Sequence, residues 1–292
     1  MHHDMLQFGI NVSTAAGPAD DPVAAAQLAE DLGFDFVSAS DHPCGMSPSH
    51  ETWTMLSWIA AATDRIRVAT RVLGVPYRSP ALVAKMAETL DRLSGGRLIL
   101  GLGGGSADHE FQAFGLGIPS RRDKIDGLEE AVAIIRGLWT EPSFSYRGRL
   151  HATDQADLAP KPDHDIPIWL GTFGPRGLDV TGRLADGWIP SFGYAPPDQV
   201  GAMRERVLAA AAGAGRDPEA ITCAYNVAVR VDPRADEADG VVSGSAGEVA
   251  ARLNDFVKMG FTTLNFMPAG PDPTEQATLL ADEVIPELRS MR

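Results

Sequence analysis

The sequence has few cysteines, few basic residues and no long hydrophobic run. Its two cysteines, Cys44 and Cys223, form no CxxC pair, which excludes a disulfide framework and is typical of a reducing compartment. Lys and Arg number 25 against 39 Asp and Glu, and the net charge of -14 argues against nucleic acid or anionic membrane as a partner. No apolar stretch approaches the roughly 18 residues that a membrane-spanning helix needs, and the start lacks a basic segment followed by an apolar one. We therefore expect a cytoplasmic protein that acts on a small molecule.

A regular alternation of strand and helix patterns runs along the whole chain. With 44% hydrophobic and 22% charged residues, the chain can bury a large core. Eight strand-helix units predict one domain over residues 1–292, a single (β/α)₈ TIM barrel. Between the fourth helix and the fifth strand, residues 141–167 form a long insertion, for which a surface excursion and a functional subdomain are both open. The predicted strands are residues 6–12, 35–39, 66–72, 97–102, 168–171, 187–190, 222–231 and 262–267.

Polar residues follow several of these strands, at the barrel end where TIM barrels place their chemistry. Asp41 and His42 follow the second strand and are our candidate catalytic pair, because a carboxylate can fix the tautomer of an imidazole that titrates near neutrality. His42, Cys44 and His50 could also be drawn as metal ligands, but their spacing matches no closed zinc pattern, so we predict no metal site. Other strand-end candidates are Asn11, Arg71, Leu73 and Gly74.

The segment LILGLGGGSADHEF, residues 98–111, leads from the fourth strand into a glycine-rich loop. A dinucleotide-binding turn would need glycine at Ser106 and an opening strand, and a zinc-protease helix would need histidine at Ala113. Two interpretations remain compatible: Ser106 caps a helix, and three glycines leave bare backbone against which a flat ring could lie. These glycines are Gly103, Gly104 and Gly105.

A second candidate site follows the fifth strand, in the segment WLGTFGPRGLD. Its Gly-Thr-Phe-Gly turn leads into a helix that begins at Pro175, so backbone N–H groups and a helix dipole face any anion bound there. Arg176 supplies local positive charge in an acidic protein. We predict a phosphate site at this turn, with an ordinary strand-to-helix turn as the alternative.

The sequence resembles the bacterial luciferase-like monooxygenase family, in particular its branch dependent on coenzyme F420, a deazaflavin. The resemblance rests on LAEDLGFDFVSASDHP, VPYRSPALVAKMAETLDRLSGGRLILGLGGGSADHEFQAFG, GLEEAVAIIRGLWT, and PIWLGTFG with RLADGW. It implies a barrel with the deazaflavin ring in its mouth, partly covered by residues 141–167, and a homodimer. The implied cofactor positions are Val72, Leu73 and Gly74, where a bulge or a non-proline cis peptide is expected, then Gly103, Gly104, Gly105, Ser106 and His109, and Gly171, Thr172, Phe173 and Gly174.

Within this resemblance, His42 and its neighbour Asp41 match the family's strand-end histidine and the residue beside it, but Ser106 stands where related dehydrogenases have a glutamate. Because Glu110 lies a helical turn further on, we do not expect it to reach the ring, which leaves His42, His109 or water as the general acid. The resemblance implies hydride transfer between F420 and a small alcohol, ketone or activated alkene. Alternatives are an FMN-dependent monooxygenase and a non-catalytic flavin-binding or deazaflavin-binding barrel. A cofactor-free hydrolase or aldolase is disfavoured, since no lysine stands at a strand end.

Overall fold

The computed structural model describes residues 6–45, 47–235 and 240–291, and in them eight parallel strands close into a barrel. The barrel follows the order β1, β2, β3, β5, β8, β9, β10 and β12, and pairing of β9 with β10 closes it. The predicted TIM barrel is confirmed. The strands described are β1 (Gln7–Asn11), β2 (Phe36–Ala39), β3 (Arg67–Thr70), β4 (Leu73–Gly74), β5 (Leu98–Gly103), β6 (Phe144–Arg147), β7 (Ala152–Ala156), β8 (Ile168–Leu170), β9 (Gly187–Trp188), β10 (Thr222–Val231), β11 (Val241–Gly244) and β12 (Thr263–Pro268).

Helices surround the barrel, and several begin and end at the predicted punctuation. The Asp21 carboxylate accepts from the first turn of its helix, and Gly33, Gly95 and Gly260 follow helices with φ of 81°, 73° and 96°, a region that favours glycine. Among the described residues no helix is both long and apolar enough to cross a membrane. The helices are α1 (Pro22–Asp31), α2 (Thr52–Ala61), α3 (Pro80–Ser94), α4 (Asp108–Ala113), α5 (Arg121–Thr140), α6 (Pro175–Leu184), α7 (Pro197–Gly213), α8 (Ala246–Lys258), α9 (Pro273–Leu279) and α10 (Ile285–Ser290), with a π-helical segment (Leu280–Val284) between the last two.

Contacts between strands that are not neighbours identify the side chains inside the barrel. Phe36 on β2 packs edge-on against Trp169 on β8, with ring centroids 5.8 Å apart, across the width of two intervening strands. Two residues after Phe36, and so on the same face of β2, Ser38 accepts a hydrogen bond from the Asn265 amide at 2.9 Å. The same amide donates to Asn226 at 2.7 Å. Ser38, Asn226 and Asn265, all buried, thus form a polar floor beneath the carboxyl-terminal mouth.

The third predicted strand, residues 66–72, is interrupted. β3 ends at Thr70, the Arg71–Val72 peptide bond is cis, and the chain resumes as β4 alongside the outer end of β5. A non-proline cis peptide is what the family resemblance implied near Val72, and this prediction is confirmed.

The insertion at residues 141–167 contains an antiparallel hairpin of β6 and β7 that lies along α5. The buried Glu130 carboxylate of α5 accepts backbone N–H bonds from Arg149, Leu150 and His151, at 2.7 to 2.9 Å. Burial raises the pKa of Glu130, but these three bonds outweigh burial and hold it below its ordinary 4.5. The hydrogen bonds described between the insertion and the rest of the chain run to α3, α5 and β5 rather than to the glycine-rich loop, so a cover over the ring stays a prediction.

Candidate active site

His42 stands at the barrel mouth and is bound to a glutamate from another loop. Its Nδ1 lies 3.0 Å from Oε1 of Glu110, and Oε2 of Glu110 accepts the Tyr77 hydroxyl in a short hydrogen bond. The His42 side chain is 52% exposed, whereas that of Glu110 is 4% exposed. A carboxylate at Nδ1 favours the tautomer that carries hydrogen there, which leaves Nε2 to act toward the mouth. We call His42, Glu110 and Tyr77 the His42 relay.

Three separate segments bring the relay together. Glu110 and Phe111 are the two buried residues of the short helix α4, and the Tyr77 ring packs on Phe111 with centroids 4.7 Å apart. Burial, and then the bond and charge of Glu110, raise the pKa of Tyr77, so the phenol stays protonated and donates. The expectation that Glu110 does not reach the ring stays a prediction, whereas its contact with His42 was not foreseen from the sequence. The sequence offered one signal for a buried Glu110, which is its position beside the apolar Phe111.

Asp41 does not contact His42 as predicted. Its side chain is fully buried, accepts the Gly74 backbone N–H at 2.9 Å, and binds Arg78 through both oxygens, at 2.8 and 3.1 Å. Arg78 also binds Glu51, the N-cap of α2. Burial disfavours the charged guanidinium, but its bonds to Asp41 and Glu51 outweigh burial and raise the Arg78 pKa. Asp41 thus ties the loop after β2 to β4, whereas the His42 side chain is half-exposed.

The three consecutive glycines at the end of β5 and directly after it each lie against protein atoms. A Cβ on Gly103 would approach a Val72 methyl group to 2.6 Å, and one on Gly104 would approach the Lys124 carbonyl oxygen to 2.9 Å. Gly105 has φ of 82°, and a Cβ on it would clash with the Phe111 ring. Packing and conformation thus explain these glycines, and contact with a cofactor ring stays a proposal.

The polar residues of the same loop are exposed and do not cap the helix. Ser106 and His109 are both exposed. The N-cap of α4 is Ala107, and no side chain bonds to the first turn. The alternative in which Ser106 caps the helix is therefore wrong.

Of the three positions predicted on the strand after the cis peptide, only the first is partly exposed. The methyl groups of Val72 lie against Gly103 and Gly171. A Cβ added to either glycine would come within 2.6 or 3.1 Å, respectively, of a Val72 methyl carbon. Leu73 is fully buried, and Gly74 is covered by the Tyr77 ring. Val72 is thus the predicted residue here that can meet a ligand.

The Gly-Thr-Phe-Gly turn after β8 divides into a structural part and an open part. The buried Thr172 hydroxyl bonds Thr181 at 2.7 Å, and the Thr172 carbonyl accepts the Trp188 indole N–H at 2.9 Å. Phe173 packs on Tyr194, with centroids 5.1 Å apart. Gly174 is the N-cap of α6, has an ordinary φ of -79°, and a Cβ on it would meet nothing within 4 Å. Neither packing nor conformation requires glycine at Gly174, in contrast to the loop after β5.

The structure changes the interpretation of Arg176 and of the alternative metal ligands. Arg176 sits on the first turn of α6, half-exposed, but its guanidinium is bound to Asp126 of α5. In the described ranges no three His, Cys, Asp or Glu side chains are grouped so that they could hold a metal ion, and the alternative set of His42, Cys44 and His50 is therefore not assembled.

Comparison with known proteins decides the family. Residues 5–251 match the family model described as luciferase-like monooxygenase. The chain belongs to this family. The F420-dependent glucose-6-phosphate dehydrogenase of Kineococcus radiotolerans is 30% identical to this luciferase-like protein, over 99% of the chain and 98% of the relative. The corresponding enzyme of Microbacterium testaceum is 26% identical, over 97% and 98%.

Among solved structures, the luciferase-like chain resembles an F420-dependent secondary alcohol dehydrogenase in complex with an F420-acetone adduct. The TM-score is 0.88 at 23% identity, with 98% of this chain and 99% of the other covered. At this identity the likeness shows the fold. The resemblance stated from the sequence motifs is confirmed, in family and in barrel.

Proposed function

We propose that this luciferase-like protein is a cytoplasmic, homodimeric oxidoreductase that transfers a hydride between coenzyme F420 and a small alcohol, ketone or activated alkene. The observation that carries the proposal is the His42 relay, a proton-transfer group at the barrel mouth next to the glycine-rich loop. The relatives named F420-dependent enzymes match over nearly their whole length. Both cysteines are free thiols, as expected in a reducing cytoplasm.

The residues at the mouth fit a deazaflavin with an anionic tail. Val72, with Gly103 packed against it, and the partly exposed backbone of Gly104 would hold the ring, with Ser106 and His109 exposed beside it. The open space at Gly174 and the N-terminus of α6 would take the phosphate, since backbone N–H groups point there and no side chain fills the place. Arg176 would exchange part of its bond to Asp126 for the phosphate.

The protein's part in the reaction is to move one proton. When bound, F420 supplies the ring carbon that exchanges a hydride with the substrate. During oxidation of an alcohol, Nε2 of His42 takes the hydroxyl proton, and during reduction it returns that proton to the carbonyl oxygen. Glu110 stabilises the imidazolium that forms, and the Tyr77 hydroxyl holds the glutamate in place. The relay thereby takes the role of the glutamate that related dehydrogenases have at the position of Ser106.

Titration of the purified protein with F420 and, separately, with FMN tests the cofactor. We expect a micromolar dissociation constant for F420 and weaker binding of FMN, measured by the change in cofactor fluorescence. Affinity for F420 no better than millimolar would refute the proposal. Tighter binding of FMN would favour a monooxygenase, and bound F420 that no alcohol or carbonyl ever reduces or oxidises would favour a non-catalytic barrel.

The homodimer part of the proposal rests on the outer face of α2 and α3. Trp58 on α2 is 71% exposed, and Leu93 on α3, which is 81% exposed, lines an apolar groove of about 340 Å³ between the two helices. Exposed apolar surface of this kind marks an association site. Sedimentation should give twice the chain mass of 31.0 kDa, and Trp58→Glu should shift it toward the monomer. A wild-type protein that sediments as a monomer at micromolar concentration would contradict the dimer.

A further inference from the structure

Arg71 places a cation inside the barrel mouth. It directly follows β3, and its Nε donates to the side-chain oxygen of Asn11 on β1 at 3.0 Å. β2 lies between β1 and β3, so this bond crosses the inner face of the barrel. Arg71 is also two residues beyond Ala69, which packs with Phe36 and Trp169 inside the barrel. The guanidinium therefore lies over the polar floor.

The charge of Arg71 has no counterion in the described part of the chain. No carboxylate there lies within ion-pair distance of it, whereas Arg78, the nearby arginine of the same loop, binds Asp41 and Glu51. Burial lowers the pKa of Arg71 to about 10, which still leaves it charged at neutral pH. A cation that is taken partly out of water without a partner is costly, and a bound anion would offset that cost.

Most hydrogen-bond donors of the Arg71 side chain have no partner among the described residues. Of the five N–H groups of the guanidinium, Asn11 takes one. The two terminal nitrogens bond no described residue, and neither is among the described atoms sealed from solvent without a partner. These two nitrogens therefore face the mouth as a planar pair of hydrogen-bond donors. The floor below, built of Ser38, Asn226 and Asn265, is neutral.

We propose that Arg71 binds a carboxylate of the substrate, so that the substrates are small hydroxy or oxo acids; this rests on the proposed oxidoreductase function. A planar guanidinium pairs with a carboxylate through two parallel hydrogen bonds. A single interior cation balances one negative charge, which favours a carboxylate over a doubly charged phosphate ester. The inference thus departs from the sugar phosphate in the names of the relatives.

Calorimetric titration of the cofactor-free protein with lactate and lactamide, and with pyruvate and pyruvamide, tests the proposal. Each pair differs only in the charge of one planar group. We expect the wild type to bind the carboxylates at least about tenfold more tightly than the amides, as hydrogen bonds to charged groups imply. Arg71→Met should weaken carboxylate binding about 10- to 100-fold and change amide binding by less than about twofold.

Two further variants and one cofactor titration complete the test. Arg71→Lys should restore part of the carboxylate preference, and Arg183→Met, which removes an exposed arginine paired with Glu129 on the outer helices, should leave it unchanged. Equal binding of carboxylate and amide by the wild type, or no binding of either, would overturn the proposal. So would an Arg71→Met protein that loses affinity for reduced F420 but not for carboxylates, because Arg71 would then serve the ring. If the wild type does not bind F420 at all, the proposed function is refuted, but the calorimetric result on carboxylate binding still stands.

Discussion

Replacing His42 by alanine is expected to lower kcat about 10²- to 10⁴-fold, the usual contribution of a positioned general acid or base. The imidazole is the exposed member of the relay, and its Nδ1 is already held by Glu110 at 3.0 Å. Removing it leaves proton transfer to water or to the exposed His109. Because the cofactor contacts proposed for the loops after β5 and β8 are untouched, F420 affinity should change little. Stopped-flow measurement of cofactor reduction gives the rate directly.

The matched control is His50→Ala, on an exposed histidine of the same loop. It should leave the rate within about twofold of the wild type, as surface substitutions away from a site do. A His42→Ala protein that transfers hydride at the wild-type rate, with F420 still bound, would remove His42 from the mechanism and point to His109 or to water.

Glu110 is a positioning residue in this scheme, and the pH profile separates that role from a structural one. Glu110→Gln keeps the size and one acceptor but loses the charge that stabilises the imidazolium. We expect kcat to fall about 10-fold or more and the acid limb of its pH profile to move to lower pH. Tyr77→Phe removes one hydrogen bond to the same carboxylate and should act in the same direction with a smaller effect. A lower rate with an unmoved profile would indicate a structural role alone.

The barrel was predictable because its signals are local. Strand and helix periods, helix N-caps such as Asp21 and glycines after helices such as Gly95 depend on a few neighbouring residues, and eight such units leave few arrangements open. What the periodicity could not give is where one strand stops. The apolar run through residues 66–72 reads as a single strand, yet it breaks at the cis peptide before Val72, because the chain there moves to pair with the outer part of β5.

The site was predictable only as a list of strand ends. Asp41 and His42 are adjacent in sequence, and adjacency suggested a pair, but Asp41 binds Arg78 and His42 binds Glu110. The partner of His42 is Glu110, 68 residues away, brought by a helix of 6 residues whose packing on Tyr77 depends on the whole barrel. In the same way, nothing in the sequence shows that Arg71 has no carboxylate partner among the residues the structure describes, since that depends on what every other loop places near it.

The largest stability effect is expected at Asp41. Asp41→Ala should lower the free energy of unfolding by about 3–5 kcal/mol, the range for removing one partner of a buried ion pair. The carboxylate is fully buried and the Arg78 side chain only 13% exposed, so the loss leaves a desolvated cation with Glu51 alone and an unpaired Gly74 N–H. Urea unfolding followed by circular dichroism measures the difference.

Asp179→Ala is the matched control, because Asp179 binds Arg206 through both oxygens at 2.8 Å in the same two-pronged geometry, but on the surface. Water screens that pair, so its loss should cost far less stability than the loss of the buried Asp41 pair. In a double-mutant cycle, Asp41→Ala with Arg78→Met should cost less than the two single changes together, since the double variant leaves no uncompensated charge. An Asp41→Ala protein that unfolds within about 1 kcal/mol of the wild type yet has lost turnover would return Asp41 to the catalytic role that its position beside His42 first suggested. A large loss of stability, together with a cycle that is far from additive, would instead make it the residue that fixes β4 in the barrel mouth.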